Sequence, residues 1–240
     1  SLHSPNGATS YAALQAALLR ALVDYDEAGA ERVLSDAFAL YPIEDIGEEL
    51  IRPVLIEIGE RWHRHELSIV KEHFASNFLL QRLTSLLRAV RVPAAASHSA
   101  QNGTQNGAHN GARHSPPVIW VGCAARELHE GGALLLAIYL RRAGYQVHYL
   151  GQDVPLHDLV AEARQEQPGL ILLSASTSKG AASLADMARA LAEGAPDAQV
   201  GFGGGIFASQ PALQQSIPGI WLGETGPEAV ARVVALLNGS

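Results

Sequence analysis

The segment Glu127-Leu128-His129-Glu130-Gly131-Gly132 holds the residue types from which a metal site can be made. An imidazole offers one ring nitrogen to a metal only when its other nitrogen is held in the right tautomer. A carboxylate two positions earlier can accept that proton and fix it. Gly131 and Gly132 carry no side chain, so a bulky ligand can approach the backbone that follows. The same residues would also serve as an ordinary solvated loop with a surface histidine. Two further runs bear on the choice. Ser174-Ala175-Ser176-Thr177-Ser178 places four hydroxyls in five residues, and Gly203-Gly204-Gly205 is bare backbone. Such groups can line a deep, narrow slot for a polar ligand tail. Ser178 could instead cap a helix, and the glycines could merely turn the chain.

The elements that must position these residues alternate. Short apolar runs at Val118–Gly122, Val147–Leu150, Leu170–Leu173, Val200–Phe202 and Ile220–Leu222 read as strands. Between and after them, helical spacing covers Gly131–Ala143, Leu156–Gln167, Ala181–Ala192, a short stretch near Pro211, and Pro227–Leu237. Five strands alternating with helices predict an α/β domain over 118–240. It should be a doubly wound, five-stranded parallel sheet of the Rossmann or flavodoxin-like kind. All three candidate loops then fall at the carboxyl ends of strands, where such sheets bind ligands.

The first part of the chain, 10–91, is helical throughout. Leu14, Leu18, Leu22 and Tyr25 give one buried face to a helix over Tyr11–Tyr25. Further helices are expected over Ala28–Leu40, Ile43–Arg64 and Ser68–Val90, with Pro53 bending the third or marking an irregular turn. Four helices with short connections predict an all-α four-helix bundle, a cap domain. Between the halves, 92–117 repeats Asn-Gly pairs and has almost no large apolar residue, so a flexible linker is expected. Its His98, His109 and His114 read as solvated linker residues.

Composition narrows the classes. The 240 residues are 48% hydrophobic and 17% charged, as in a globular chain long enough for two modest cores. A net charge of −7 argues against direct nucleic-acid binding, which wants a basic surface. The single cysteine, Cys123, excludes a disulfide framework and suggests a reducing cytoplasm. Neither a signal peptide nor an apolar stretch of about 20 residues is visible, so no membrane partner is expected.

The spacing Glu127-x-His129-x-x-Gly132, then Ser174-x-Ser176, then Gly204-Gly205, is similar to the cobalamin-binding domain of methionine synthases, corrinoid proteins and cobalamin mutases. The resemblance covers Val118–Leu237. It implies His129 as lower ligand of a cobalamin cobalt and Glu127 as its orienting partner, with Leu128 and Gly132 alongside. Ser174, Ser176, Thr177, Gly204 and Gly205 would then line the slot for the nucleotide tail. Glu127 stands where many members have Asp, and Ser176 where many have Leu.

In the helical half, Trp62 is followed after nine residues by Glu72-His73. That pattern resembles the cap of the adenosylcobalamin-dependent light-sensing regulators of the CarH/LitR type. It implies Trp62 as an aromatic wall for the adenosyl group, with Glu72 and His73 as its polar partners. His63 would be a cobalt ligand on the upper face once light has removed that group. Without the sheet half, Trp62 would read as a core aromatic, and His63 and His65 as a solvated helix end. The resemblance further implies a photoreceptor rather than an enzyme, with a dimer or tetramer that changes with light.

Such regulators usually carry an N-terminal DNA-binding domain. The chain begins at Ser1 and shows no such pattern before its first helix, so a trimmed chain or a branch with another output is expected. Some stand-alone members of the type also bind a bilin such as biliverdin. With only Cys123 available, in or just after the first strand, a bilin here would be non-covalent. A corrinoid methyl carrier serving a methyltransferase, and a cobalamin storage or delivery protein, are the alternative readings.

Overall fold

The computed structural model describes residues 10–90 and 117–238. Apart from Pro117, the expected linker and its three histidines lie outside the described residues. The four-helix cap and the five-stranded doubly wound sheet are both present.

Three of the four cap helices begin where a polar side chain satisfies a free backbone donor. Ser10 accepts the Ala13 N–H ahead of α1 (Tyr11–Val23), and Asp26 accepts the Gly29 N–H ahead of α2 (Glu27–Leu40). The third helix is one run in three parts: α3 (Ile43–Ile46), a π-helical turn (Gly47–Ile51) and α4 (Arg52–His63). Pro53 has no N–H to donate, and the hydrogen-bond ladder widens in the turn just before it. The fourth, α5 (Ile69–Ala89), is capped by Ser68 on Lys71 N–H. Leu79 and Leu83 of α5 are fully buried in the bundle, each contributing about 1.5–3 kcal/mol relative to exposure.

The second half runs β1 (Ile119–Cys123), α6 (Gly131–Arg142), β2 (Val147–Gly151), α7 (Leu156–Glu166), β3 (Leu170–Ser174) and α8 (Ser178–Gly194). It continues with β4 (Gln199–Gly203), α9 (Gly205–Ser209), a 3-10 turn (Pro211–Ser216), β5 (Ile220–Trp221) and α10 (Gly226–Asn238). The strands are parallel in the order β2-β1-β3-β4-β5. The chain order therefore reverses at β1 and β3, and the loops leaving these two strands part there, opening the crevice in which this topology holds ligands.

The bundle does not stand apart from the sheet. One continuous apolar core runs from Leu18, Leu50 and Leu79 through Leu134, Ile138 and Leu140 of α6 to Ile119 and Leu172. The opposite face of the sheet buries Ile171, Leu184, Met187 and Phe202 under α7 and α8. At the junction, Tyr139 of α6 fits against Gly47 of the π turn and Gly226 at the start of α10. A β-carbon at either glycine would collide with its ring or hydroxyl. The Tyr139 hydroxyl donates to the Glu44 carbonyl at 3.3 Å, Glu48 accepts the Gly226 N–H at 3.2 Å, and Arg142 pairs with Glu44 at 2.7 Å. Among the described residues, no helix is long and apolar enough to cross a membrane.

Candidate functional site

Glu127 is the one buried charged side chain among the described residues, and it joins the two loops at the crevice. Its Oε1 accepts the His129 N–H at 2.9 Å and lies 2.6 Å from His129 Nδ1. Its Oε2 accepts N–H bonds from Ser176 at 2.7 Å and Thr177 at 2.9 Å, and the Thr177 hydroxyl at 3.1 Å. Burial alone would push this carboxyl up. The bonds from His129 and Ser176 outweigh it and hold the carboxyl at about 2. The longer arm of Glu, compared with Asp, reaches the Ser176 and Thr177 amides just ahead of α8, and Gly180 makes room: a β-carbon there would lie 2.6 Å from Oε2.

His129 is oriented from within and open outward. Its side chain is 68% exposed, and among the described residues no hydrogen bond involves Nε2. The bond to Glu127 raises its proton affinity against a smaller desolvation effect, and the Glu127 and Glu72 charges add to the rise. Glu72 belongs to α5, so the cap sits within electrostatic reach of the loop. Packing agrees, since a β-carbon on Gly131, two residues past His129, would lie 2.9 Å from Leu55 of α4. Trp62 is seven residues further along α4 on the same face, about 10 Å on at 1.5 Å per residue.

The cap residues meet at the turn between α4 and α5. The Trp62 and His63 rings meet tilted, 43° between planes and 4.6 Å between centroids, and both are exposed. Trp62 is therefore a surface aromatic, not a core one. Glu72, 18% exposed, lies 2.5 Å from His73 Nδ1 and accepts the Ser76 hydroxyl at 2.8 Å. His65 takes a left-handed backbone in this turn. Among the described residues seven large apolar side chains are exposed, and Trp62, Ile69, Val70 and Leu128 of these fall at this turn and at the His129 loop.

The residues expected to line a slot divide. Thr177, not Ser178, caps α8, accepting the Gly180 N–H at 3.0 Å while donating to Glu127. Ser176 offers its amide to Glu127, and Ser174 ends β3 beside Gly203 of β4. Gly204 has φ +120°, and a β-carbon there would strike the Ala175 backbone, so only glycine fits. At Gly132, Gly203 and Gly205 a β-carbon would meet nothing within 4 Å, which leaves open space along this edge.

Several supporting residues give no motif in the sequence. Asp153, Tyr149 and Met187 each bond into the His129 loop. Asp153 Oδ1 accepts the Arg126 N–H at 2.6 Å, Tyr149 donates to Glu130 at 2.6 Å, and Met187 Sδ accepts the Ala125 N–H at 3.2 Å. Cys123 is buried, and burial with the nearby Glu127 and Glu130 charges pushes its thiol up to about 12. That is the opposite of a nucleophilic, chromophore-linking thiol.

A flavodoxin-like sheet with an oriented histidine at its switch point, faced by a helical cap, defines a cofactor-binding protein of the corrinoid kind. The donor set fits: a corrin supplies the equatorial nitrogens of its cobalt, so the protein need add only an axial donor, and His129 Nε2 is free to be one. Residues 117–234 match the B12 binding domain family, and residues 14–87 match a second family, also described as B12 binding domain. The chain belongs to the B12-binding domain proteins, and it binds cobalamin.

Among its relatives are the HTH-type transcriptional repressor CarH of Myxococcus xanthus, 31% identical over 75% of this chain and 53% of that protein, and CarA of the same organism, 32% identical over 60% and 41%. The chain thus spans about half the length of these two. It is also similar to the trimethylamine corrinoid protein of Methanosarcina barkeri, 25% identical over 91% of this chain and 94% of the other. The solved monomethylamine corrinoid protein of Methanosarcina barkeri shares the fold, with a TM-score of 0.72 at 18% identity, covering 95% of this chain and all of that one.

Proposed function

We propose that the chain is a light sensor using adenosylcobalamin, and not an enzyme. The observation that carries this reading is the pairing of two half-sites. Trp62, His63, Glu72 and His73 flank the turn between α4 and α5, Glu127 and His129 stand in the loop after β1, and Glu72 is close enough to affect the His129 proton. Adenosylcobalamin supplies a weak, photolabile cobalt–carbon bond.

His129 is the lower axial donor, and Glu127 holds its tautomer. Ser174, Ser176, Thr177, Gly204 and Gly205 line the tail slot, with Leu128 and Gly132 at its mouth. Trp62 forms the wall for the adenosyl group, Glu72 accepts from its ribose hydroxyls, and His73 stands beside it. His63 would be a donor for the upper cobalt face once light had removed that group. Loss of the adenosyl group would let cap and sheet half shift, and with them the state of a homo-oligomer, a dimer or tetramer. The CarH and CarA relationship supports this reading.

The test loads the protein with adenosylcobalamin in the dark and compares absorption and elution volume before and after green light. Both should change. Identical spectra and elution volumes would end the proposal and leave storage or delivery. An additional long-wavelength band in the protein as purified would reveal a non-covalent bilin such as biliverdin.

The trimethylamine corrinoid protein matches nearly from end to end, and this favours a second reading, a methyl carrier serving a methyltransferase. A carrier would prefer methyl over adenosyl as upper group in the dark, so competition between methylcobalamin and adenosylcobalamin separates the two.

A further inference from the structure

The loop that carries His129 is held on the side away from β3 by β2 and the turn after it. Pairing of β1 with β2 is regular up to Val121 opposite Tyr149, then slips so that Gly122 faces Gly151. The slip leaves Leu150 as an extra residue. A bulge of this kind re-aims the chain beyond it, and here the chain turns into the His129 loop.

The turn then contacts that loop at successive positions. Asp153 Oδ1 accepts the Arg126 N–H at 2.6 Å, and the Asp153 N–H donates to the Glu127 carbonyl at 3.0 Å. Val154 N–H donates to the Cys123 carbonyl at 3.2 Å. On the far side of His129, the Tyr149 hydroxyl donates to Glu130 at 2.6 Å. Arg126 and Asp153 both take left-handed backbone conformations, with φ of +66° and +50°. Side chains other than glycine adopt this region at a cost, so the contacts between the two segments must hold them there.

We infer that Asp153 is a positioning residue for the cobalt-facing histidine: its carboxylate fixes the backbone at Arg126, and through it the direction in which Glu127 presents His129 Nε2. Tyr149 secures the other flank through Glu130. The inference rests on His129 being the lower ligand, as proposed above. A tight grip is needed because His129 is mostly exposed, and its ring has only Glu127 to hold it.

Asp153→Gly is the decisive variant. Glycine accepts φ of +50° without strain, so the turn keeps its shape while the carboxylate is removed. Asp153→Asn keeps both an acceptor oxygen and tolerance of the left-handed region, and should behave as the unaltered protein. The readout is electron paramagnetic resonance of the full chain loaded with cob(II)alamin, with its histidines labelled with the heavy nitrogen isotope. The axial nitrogen splits the cobalt lines, and the splitting changes with the label only if that nitrogen belongs to a histidine.

The unaltered protein and Asp153→Asn should show the isotope-sensitive pattern throughout. Asp153→Gly should show a mixture, with affinity for hydroxocobalamin lowered on the order of tenfold, at the low end for residues that orient a ligand. In a His129→Ala background, Asp153→Gly should cost nothing further, because the two act through one bond. A full histidine pattern in Asp153→Gly, or an equal affinity loss with and without His129, would overturn the inference. If His129→Ala alone leaves the pattern unchanged, the lower-ligand reading itself fails, which is a different result. Thermal unfolding of each variant separates a folding defect: Asp153→Gly should still unfold in one cooperative transition, since relief of strain at position 153 offsets part of the lost bond to Arg126.

Discussion

Glu127 and His129 are tied twice, side chain to backbone at 2.9 Å and side chain to side chain at 2.6 Å through the same carboxylate oxygen. The other oxygen is taken by the start of α8. The histidine's direction is therefore set jointly, by the switch point that holds Glu127 and by the loop backbone that carries it.

This pairing should make stability depend on pH in a defined window. The Glu127 carboxyl is held at about 2 against an ordinary 4.5, so its contribution is complete above 4.5 and is lost as pH falls toward 2. The difference amounts to about 3 kcal/mol. His129 has the opposite sign: its raised proton affinity adds stability below the ordinary 6.5, lost as pH rises through the higher folded value. Denaturant unfolding across the acid range should show this loss, and Glu127→Gln should flatten it. An acid limb as steep in the variant would place the effect elsewhere.

The cap's electrostatic reach can be measured without any cofactor. Glu72→Gln should shift the His129 titration, followed by nuclear magnetic resonance, to lower pH, and Glu127→Gln should shift it further, since the Glu127 bond is the larger cause. If Glu72→Gln left the titration unmoved, the cap would not face His129 in solution.

The glycines should separate by role. Gly204→Ala places a β-carbon against the Ala175 backbone at a φ of +120°, and Gly180→Ala places one against Glu127. Both should lose roughly 1–3 kcal/mol, read as a lowered denaturant midpoint. Gly205→Ala meets nothing and should fold as before, yet bind hydroxocobalamin more weakly because it narrows the proposed slot. Full affinity in Gly205→Ala would move the slot away from this edge.

The junction offers a rescue experiment. Gly47→Ala would collide first with the Tyr139 hydroxyl and should lose about 1–3 kcal/mol, while Gly226→Ala would collide with the ring carbons. Tyr139→Phe should therefore recover much of the first loss and little of the second, as thermal unfolding of the double variants would show. Equal recovery would mean that the two glycines do not read different parts of the tyrosine.

The sequence announces the sheet and bundle through regular apolar spacing, with boundaries moved by one to three residues. Thr177 rather than Ser178 caps α8, for instance, because Thr177 also reaches Glu127. It announces Glu127 and His129 because a carboxylate, an imidazole and a glycine pair stand so close together. It is silent about Asp153, Tyr149 and Met187, whose partners lie 27, 19 and 62 residues away. No periodicity marks a left-handed Arg126 or a bulge at Leu150, since both arise only when β1 and β2 are laid side by side. Pro53 shows the intermediate case: a disturbance was legible, but the widening of the helix ahead of it needed the Tyr139 contact to explain why Gly47 stands there.

The Tyr139 junction changes what kind of object the two halves make. Two family signatures in tandem suggest parts that could be separated and recombined. Here a single aromatic ring belongs to the seam of both, and the leucines of α6 complete the bundle as much as the sheet. A graft of the bundle onto a foreign receiver would leave the Gly47 notch without its tyrosine, and the isolated sheet half would show water the flank of α6 that the bundle covers. Exchange between such proteins should succeed only when α6 travels with the bundle that shaped it.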